Sequence, residues 1–158
     1  MHMVDSVSAT AVIDAPADVV FSVLADPATH AAIDGTGWVR GPVDSGPLAA
    51  VGQVFRMIMY HEDHPDGFYR TANRVRVFER PTAISWEPGY DPGDGKLRFG
   101  GWVWRYDLAR VGPSRTDVTL SYDWSAVPDS VREYLHFPPF PPGHLDDSLA
   151  HLAAFITT

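Results

Sequence analysis

His144-Leu145-Asp146-Asp147-Ser148-Leu149-Ala150-His151-Leu152-Ala153-Ala154-Phe155-Ile156 is the stretch on which the fold turns. Leu145, Leu149, Leu152 and Ile156 recur at spacings of four, three and four, the period of a single helical face. Asp146 and Asp147 stand at the end where negative charge favours the helix dipole. The pattern predicts an amphipathic helix of about 14 residues, roughly 21 Å long. Just before it, Phe137-Pro138-Pro139-Phe140-Pro141-Pro142-Gly143 cannot be helical and predicts polyproline II. A short helical piece is expected around Pro128 to Leu135. The terminal helix carries an apolar stripe, and the stripe must meet a partner surface.

Strands supply that surface. Val54 to Tyr60 and Phe68 to Glu79 are rich in aromatic and β-branched residues, and Pro65-Asp66-Gly67 turns the chain between them, so the pair predicts a hairpin. Ala83 to Glu87 predicts a short strand, and Asp91-Pro92-Gly93-Asp94-Gly95 a tight connection. Leu97 to Arg110 and Arg115 to Trp124 predict a last hairpin, turning at Gly112-Pro113-Ser114. Strand parity separates two faces. Inward go Phe55, Met57 and Met59; Thr71, Asn73, Val75 and Val77; Trp102, Trp104, Tyr106 and Leu108; and Val118, Leu120, Tyr122 and Trp124. Outward go Arg56, Arg70, Arg74, Arg76, Arg105, Asp107, Asp117 and Asp123. One-sided antiparallel strands need a cover on the apolar face, and the terminal helix laid across them closes a box.

The N-terminal quarter adds a strand from Ser6 to Asp14, with Ala9, Ala11 and Ile13 on one side and Ser8, Thr10 and Val12 on the other. Pro16 is pre-organised as a first helical residue, Asp18 lies in the first turn, and Val20, Val23 and Leu24 recur at helical spacing. That helix should stop at Asp26, ahead of Pro27. Asp26 and Pro27 cap and start a second short helix ending near Gly35. Gly35-Thr36-Gly37-Trp38-Val39-Arg40-Gly41 misses the dinucleotide fingerprint and reads as a loop, followed by a turn-rich connection from Gly41-Pro42 to Gly46-Pro47.

Composition bounds the class. The 158 residues suit one domain, 1–158. Cysteine is absent, which excludes disulfides, thiolate metal sites and cysteine nucleophiles. With 13 glycines and 14 prolines beside 12% aromatic residues, the chain has many turns between packed strands rather than disorder. A formal net charge of −8, with a single lysine at Lys96 and scattered arginines, argues against nucleic acid and anionic lipid as partners. The first residues show no basic segment followed by an apolar one, and no run approaches a spanning length, so a cytoplasmic location without membrane insertion is expected. Met1-His2-Met3 reads as a cloning remnant ahead of Met3, and His2 receives no role.

Candidate chemistry gathers on the inner face. Trp86, Trp102, Trp104, Trp124, Tyr106 and Tyr122 pack a core, yet so many polar ring tips on one face favour a partly wet cavity. Asn73, the single asparagine, is either a buried amide holding backbone or a ligand contact. His61-Glu62-Asp63-His64 is not the zinc-protease spacing, because Pro65-Asp66-Gly67 forces a turn; no metal and no other cofactor is expected, and His61 is kept as a polar group at the cavity rim. His136, His144 and His151 read as surface or rim residues. Neither a Gly-x-Ser-x-Gly elbow nor a phosphate loop occurs.

Strand, two short helices, antiparallel strands and a C-terminal helix is the element order of the START-like helix-grip superfamily, SRPBCC. Ile13-Asp14-Ala15-Pro16-Ala17-Asp18-Val19-Val20-Phe21-Ser22-Val23-Leu24-Ala25-Asp26 resembles its opening signature. The resemblance runs from about Ser6 onward and points to the polyketide cyclase/dehydrase and lipid-transport-like branch. It implies an α+β helix-grip fold: a curved antiparallel sheet of about six or seven strands gripping the last helix, with two short helices after strand 1. It also implies an apolar cavity between sheet and helix. The segment Phe137 to Gly143 departs from the family by breaking the long final helix. No catalytic motif carries over residue by residue.

Two functions compete. The first is a carrier or sensor that binds a hydrophobic small molecule through Met57, Met59, Asn73, Trp86, Trp102, Trp104, Tyr106, Leu120, Tyr122, Leu145, Leu149 and Leu152. The second is a cofactor-independent cyclase or dehydratase of the polyketide aromatase/cyclase kind, with Tyr106, Tyr122, Asn73 and His61 as acid–base candidates. A regulatory module using the proline-rich segment as a partner surface is a third reading, and a homodimer stays open.

Overall fold

The computed structural model describes residues 5–34, 39–43, 46–60, 67–90, 96–133, 136–141 and 143–157. Strand β1 (Ser6–Ile13) runs into helix α1 (Ala17–Leu24), a 3-10 turn (Pro27–Thr29) and helix α2 (His30–Ile33). Strands β2 (Val39–Pro42), β3 (Val54–Tyr60), β4 (Phe68–Glu79), β5 (Ala83–Tyr90), β6 (Arg98–Phe99), β7 (Val103–Gly112) and β8 (Arg115–Asp123) follow. Helices α3 (Asp129–Arg132) and α4 (His144–Thr157) complete the chain. The fold is α+β, a curled antiparallel half-barrel in the order β1-β8-β7-β5-β4-β3-β2, with β6 beside β5. The C-terminal helix packs against β1, β8, α1 and α2.

Local chemistry accounts for the elements. Pro16 caps α1 in extended conformation rather than opening it as the first helical residue. The Asp26 carboxylate accepts from the Ala28 N–H at 3.0 Å, starting the 3-10 turn as an Asx cap does. Along β1 the exposed positions Ser6, Ser8, Thr10 and Val12 alternate with covered Val7, Ala9, Ala11 and Ile13, so the predicted parity holds.

Three sequence expectations are corrected. Val39–Pro42 is a strand paired with β3 through a register shift, not a loop. Leu97 to Arg110 is two strands, because Gly100 and Gly101 break the ladder. The Trp102 ring fills the space that a Gly100 side chain would occupy, with an ideal Cβ only 1.9 Å from it, and Gly101 has φ +99°. Lastly, a bulge between Val75 and Val77 shifts the register of β4 on β5. Phe78 consequently reaches the core, edge to face with Phe21 at 5.2 Å, in the place expected for Val77.

The core joins α1, α4 and the inner sheet face, where Val20, Phe21, Leu24, Val75, Ile84, Val118 and Leu152 are fully buried. On the outer face, nearly buried Glu87 accepts from Arg74 at 2.6 Å and Arg76 at 3.0 Å. The Arg132 guanidinium ties α3 down by donating to the Trp124 and Val127 carbonyls and to Asp5.

Candidate functional site

Between the inner sheet face and the first turn of α4 lies a cavity of about 500 Å³, within the size range of small-molecule pockets. Strands β3 and β4 contribute Phe55, Met57, Met59, Tyr69, Thr71 and Asn73, and β5 contributes Trp86. From β7 and β8 come Trp104, Tyr106, Leu120 and Tyr122, with Trp102 just ahead of β7. Cα pairing sets Trp86 opposite Trp104 and Tyr106 opposite Leu120, so neighbouring strands turn these rings to one face. The exposed residues Tyr90 and Arg98 mark where the cavity meets the surface.

Two aromatic groups form its walls. His30 stacks on Trp86 at 5.0 Å and 18° and meets Phe55 edge on, while Trp86 lies 5.9 Å from Tyr106. Phe140 stacks on Trp104 at 5.6 Å and 28°, and lies 5.1 Å from Tyr122 and 4.7 Å from His144. The proline-rich segment thus puts a ring into the wall, which its composition did not reveal.

Polar groups are set into this mostly apolar wall. Asn73 pairs with Phe55 across the ladder and donates its amide NH₂ to the Phe55 carbonyl at 3.3 Å. It therefore holds backbone and lines the cavity as well. Burial pushes the Tyr106 phenol up, with the Asp34 charge adding to it, and burial alone pushes Tyr122 up. Both stay neutral donors near pH 7. Burial lowers His30, partly offset by its bond to the Leu24 carbonyl and by Asp26. Since a carbonyl only accepts, His30 Nε2 carries the proton in that 2.9 Å bond. Asp34 accepts from the Val39 N–H at 3.1 Å and lines the cavity.

Several assignments move. Leu145, Leu149 and Leu152 do not line the cavity; they are buried in the core against the β1 side of the sheet. The reason is helix rotation: α4 turns His144 and Ser148, one turn apart, toward the cavity instead. His144 is buried at 6% exposure, not on the surface, whereas His136 and His151 are exposed. His61, with the rest of the His61-Glu62-Asp63-His64 stretch, lies outside the described residues. Among the described residues, no three metal-ligating side chains cluster, and no helix is long and apolar enough to cross a membrane.

His30 and Asp34 were missed by sequence reasoning, which read His144 as a surface or rim residue. Pro27, His30 and Ile33, all buried, recur every third residue and could have shown one covered face of the short helical segment.

No protein-family model matches the chain. Over 121 residues, 77% of its length, the chain is 29% identical to the uncharacterized protein Rv0088 of Mycobacterium tuberculosis. It spans about half the length of the curated relatives it matches, 48% for that protein. Among solved structures, protein Ms6760 from Mycobacterium smegmatis superposes with a TM-score of 0.67 at 16% identity, covering 96% of this chain and 90% of that one. Protein CV1439 from Chromobacterium violaceum gives a TM-score of 0.67 at 19% identity, covering 98% of both. At such identities the likeness is one of fold: a curled antiparallel half-barrel compatible with the helix grip.

Proposed function

We propose that this protein, a START-like (SRPBCC) domain by its element order, binds a hydrophobic small molecule in the cavity between sheet and C-terminal helix, as a carrier or sensor. One observation carries the reading. A space of about 500 Å³ has a wall whose surface is mostly apolar, built of indole, phenyl and thioether groups, with polar groups such as those of Asn73, Tyr106, Tyr122 and His144 set among them, the composition typical of pockets that desolvate an apolar ligand. Native mass spectrometry of freshly purified protein tests it directly, with a co-purifying apolar species as the expected result. An environment-sensitive apolar dye should also bind saturably and quench tryptophan fluorescence, given Trp86, Trp102 and Trp104 in the wall. Absence of both signals refutes the reading.

A cofactor-independent cyclase or dehydratase is the second reading. It is favoured by neutral Tyr106 and Tyr122 hydroxyl groups and Asn73 lining one cavity, where a folded reactive chain would meet proton donors. Turnover of a poly-ketone substrate by the purified protein distinguishes it from a carrier.

A further inference from the structure

Resting on the ligand-binding reading above, we propose that His144 is the polar anchor of the cavity and that the molecule it holds is an uncharged aromatic bearing a hydroxyl group. His144 is 6% exposed and lines the cavity. Phe140 lies 4.7 Å away and Trp104 5.7 Å away. Its Nδ1 is enclosed with no hydrogen-bond partner among the described residues. Folded proteins rarely leave such an atom unpaired, so the nitrogen calls for a partner.

Charge and shape narrow the ligand. Burial lowers the proton affinity of His144, against smaller raising effects of Asp34 and Asp147, so the ring is neutral near pH 7. A neutral imidazole has one donor nitrogen and one acceptor nitrogen, and a hydroxyl, which both donates and accepts, satisfies either tautomer. An anionic head group fares worse. The Asp34 carboxylate lines the same cavity and raises Tyr69, Tyr106 and His144, which means that its negative field reaches all three. The cation in the lining is Arg98, out at the exposed rim. Indole and phenyl rings of Trp86, Trp102, Trp104 and Phe140 line the cavity, and such a lining suits an aromatic ligand.

Calorimetric titration with naphthalene, 2-naphthol and 2-naphthoate at pH 7 tests the assignment. We expect 2-naphthol to bind about ten-fold more tightly than naphthalene, and 2-naphthoate about ten-fold more weakly than 2-naphthol. In His144→Leu the preference for the hydroxyl should shrink to within about three-fold while naphthalene binding persists, and in Asp34→Asn the penalty on naphthoate should shrink. Equal binding of naphthalene and 2-naphthol by the unaltered protein overturns the anchor and needs no variant to fold. An undiminished hydroxyl preference in His144→Leu overturns it too. Failure of all three probes to bind is a different outcome, since it overturns the ligand-binding reading beneath.

Discussion

Gly101→Ala measures what it takes to break the strand that passes the cavity. Gly101 has φ +99°, and a Cβ there would stand 2.8 Å from the Ala126 carbonyl oxygen, 2.9 Å from its carbon and 3.1 Å from the Val127 nitrogen. All three atoms are backbone, so no side chain can swing aside. A side chain held at positive φ costs about 1 to 3 kcal/mol, and forced overpacking costs about 1 to 3 kcal/mol more, so we expect Gly101→Ala to lose about 2 to 6 kcal/mol. Gly52→Ala supplies the reference: Gly52 has φ +89° but nothing within 4 Å of its Cβ position, so the dihedral cost acts alone. Urea unfolding followed by tryptophan fluorescence, with similar m-values, gives the difference between the two. Because Gly101 sits between β6 and the cavity-lining Trp102, its replacement should also weaken dye binding more than Gly52→Ala does. Equal stability losses would refute the steric argument.

Leu152 is fully buried, and Leu152→Ala should cost about 2 to 5 kcal/mol in the same assay. Trp104→Ala removes a half-buried wall residue, so it should cost less than the roughly 3 to 5 kcal/mol of a fully buried tryptophan yet abolish dye binding; retained binding would contradict the wall assignment. Burial holds His30 and His144 below the ordinary imidazole value, so the unfolded chain takes up more protons as pH falls through about 6.5. Stability should therefore decline as pH falls through about 6.5 and level off only below the folded-state values, and melting temperatures of His30→Gln and His144→Gln should show a shallower decline. If a turnover is found, the double variant Tyr106→Phe, Tyr122→Phe should slow it without large loss of binding, and an unchanged rate would remove both phenols from the chemistry.

Periodicity made most of the fold readable. Alternation in β7 and β8 sorted Tyr106, Leu108, Leu120 and Tyr122 correctly, because a strand buried on one face writes its environment into every second residue. It failed at Val77 and Phe78, where one bulged residue reverses the parity and leaves no mark in local composition. The cavity wall was legible for the same reason as the strands: Met57, Met59, Asn73, Trp86, Trp102, Trp104, Tyr106, Leu120 and Tyr122 all line it. Helical residues were harder. Spacing identified the apolar stripe of α4 but not its rotation about its own axis, and that rotation decides whether Leu149 or Ser148 faces the empty space. Asp34 and His30 come from a short helical segment whose position depends on contacts with α4 and β2, far away in the chain.

Helix α4 divides its tasks along its length. Its N-terminal end offers His144 and Ser148 to the cavity, while Leu149 and Leu152 on another side are locked into the core. Substitutions at the two cavity positions remove little of the apolar contact that holds the helix down. Ligand preference can therefore drift under selection while the anchoring leucines stay constant, and a library randomised at His144 and Ser148 would explore new chemistries on a scaffold that remains folded.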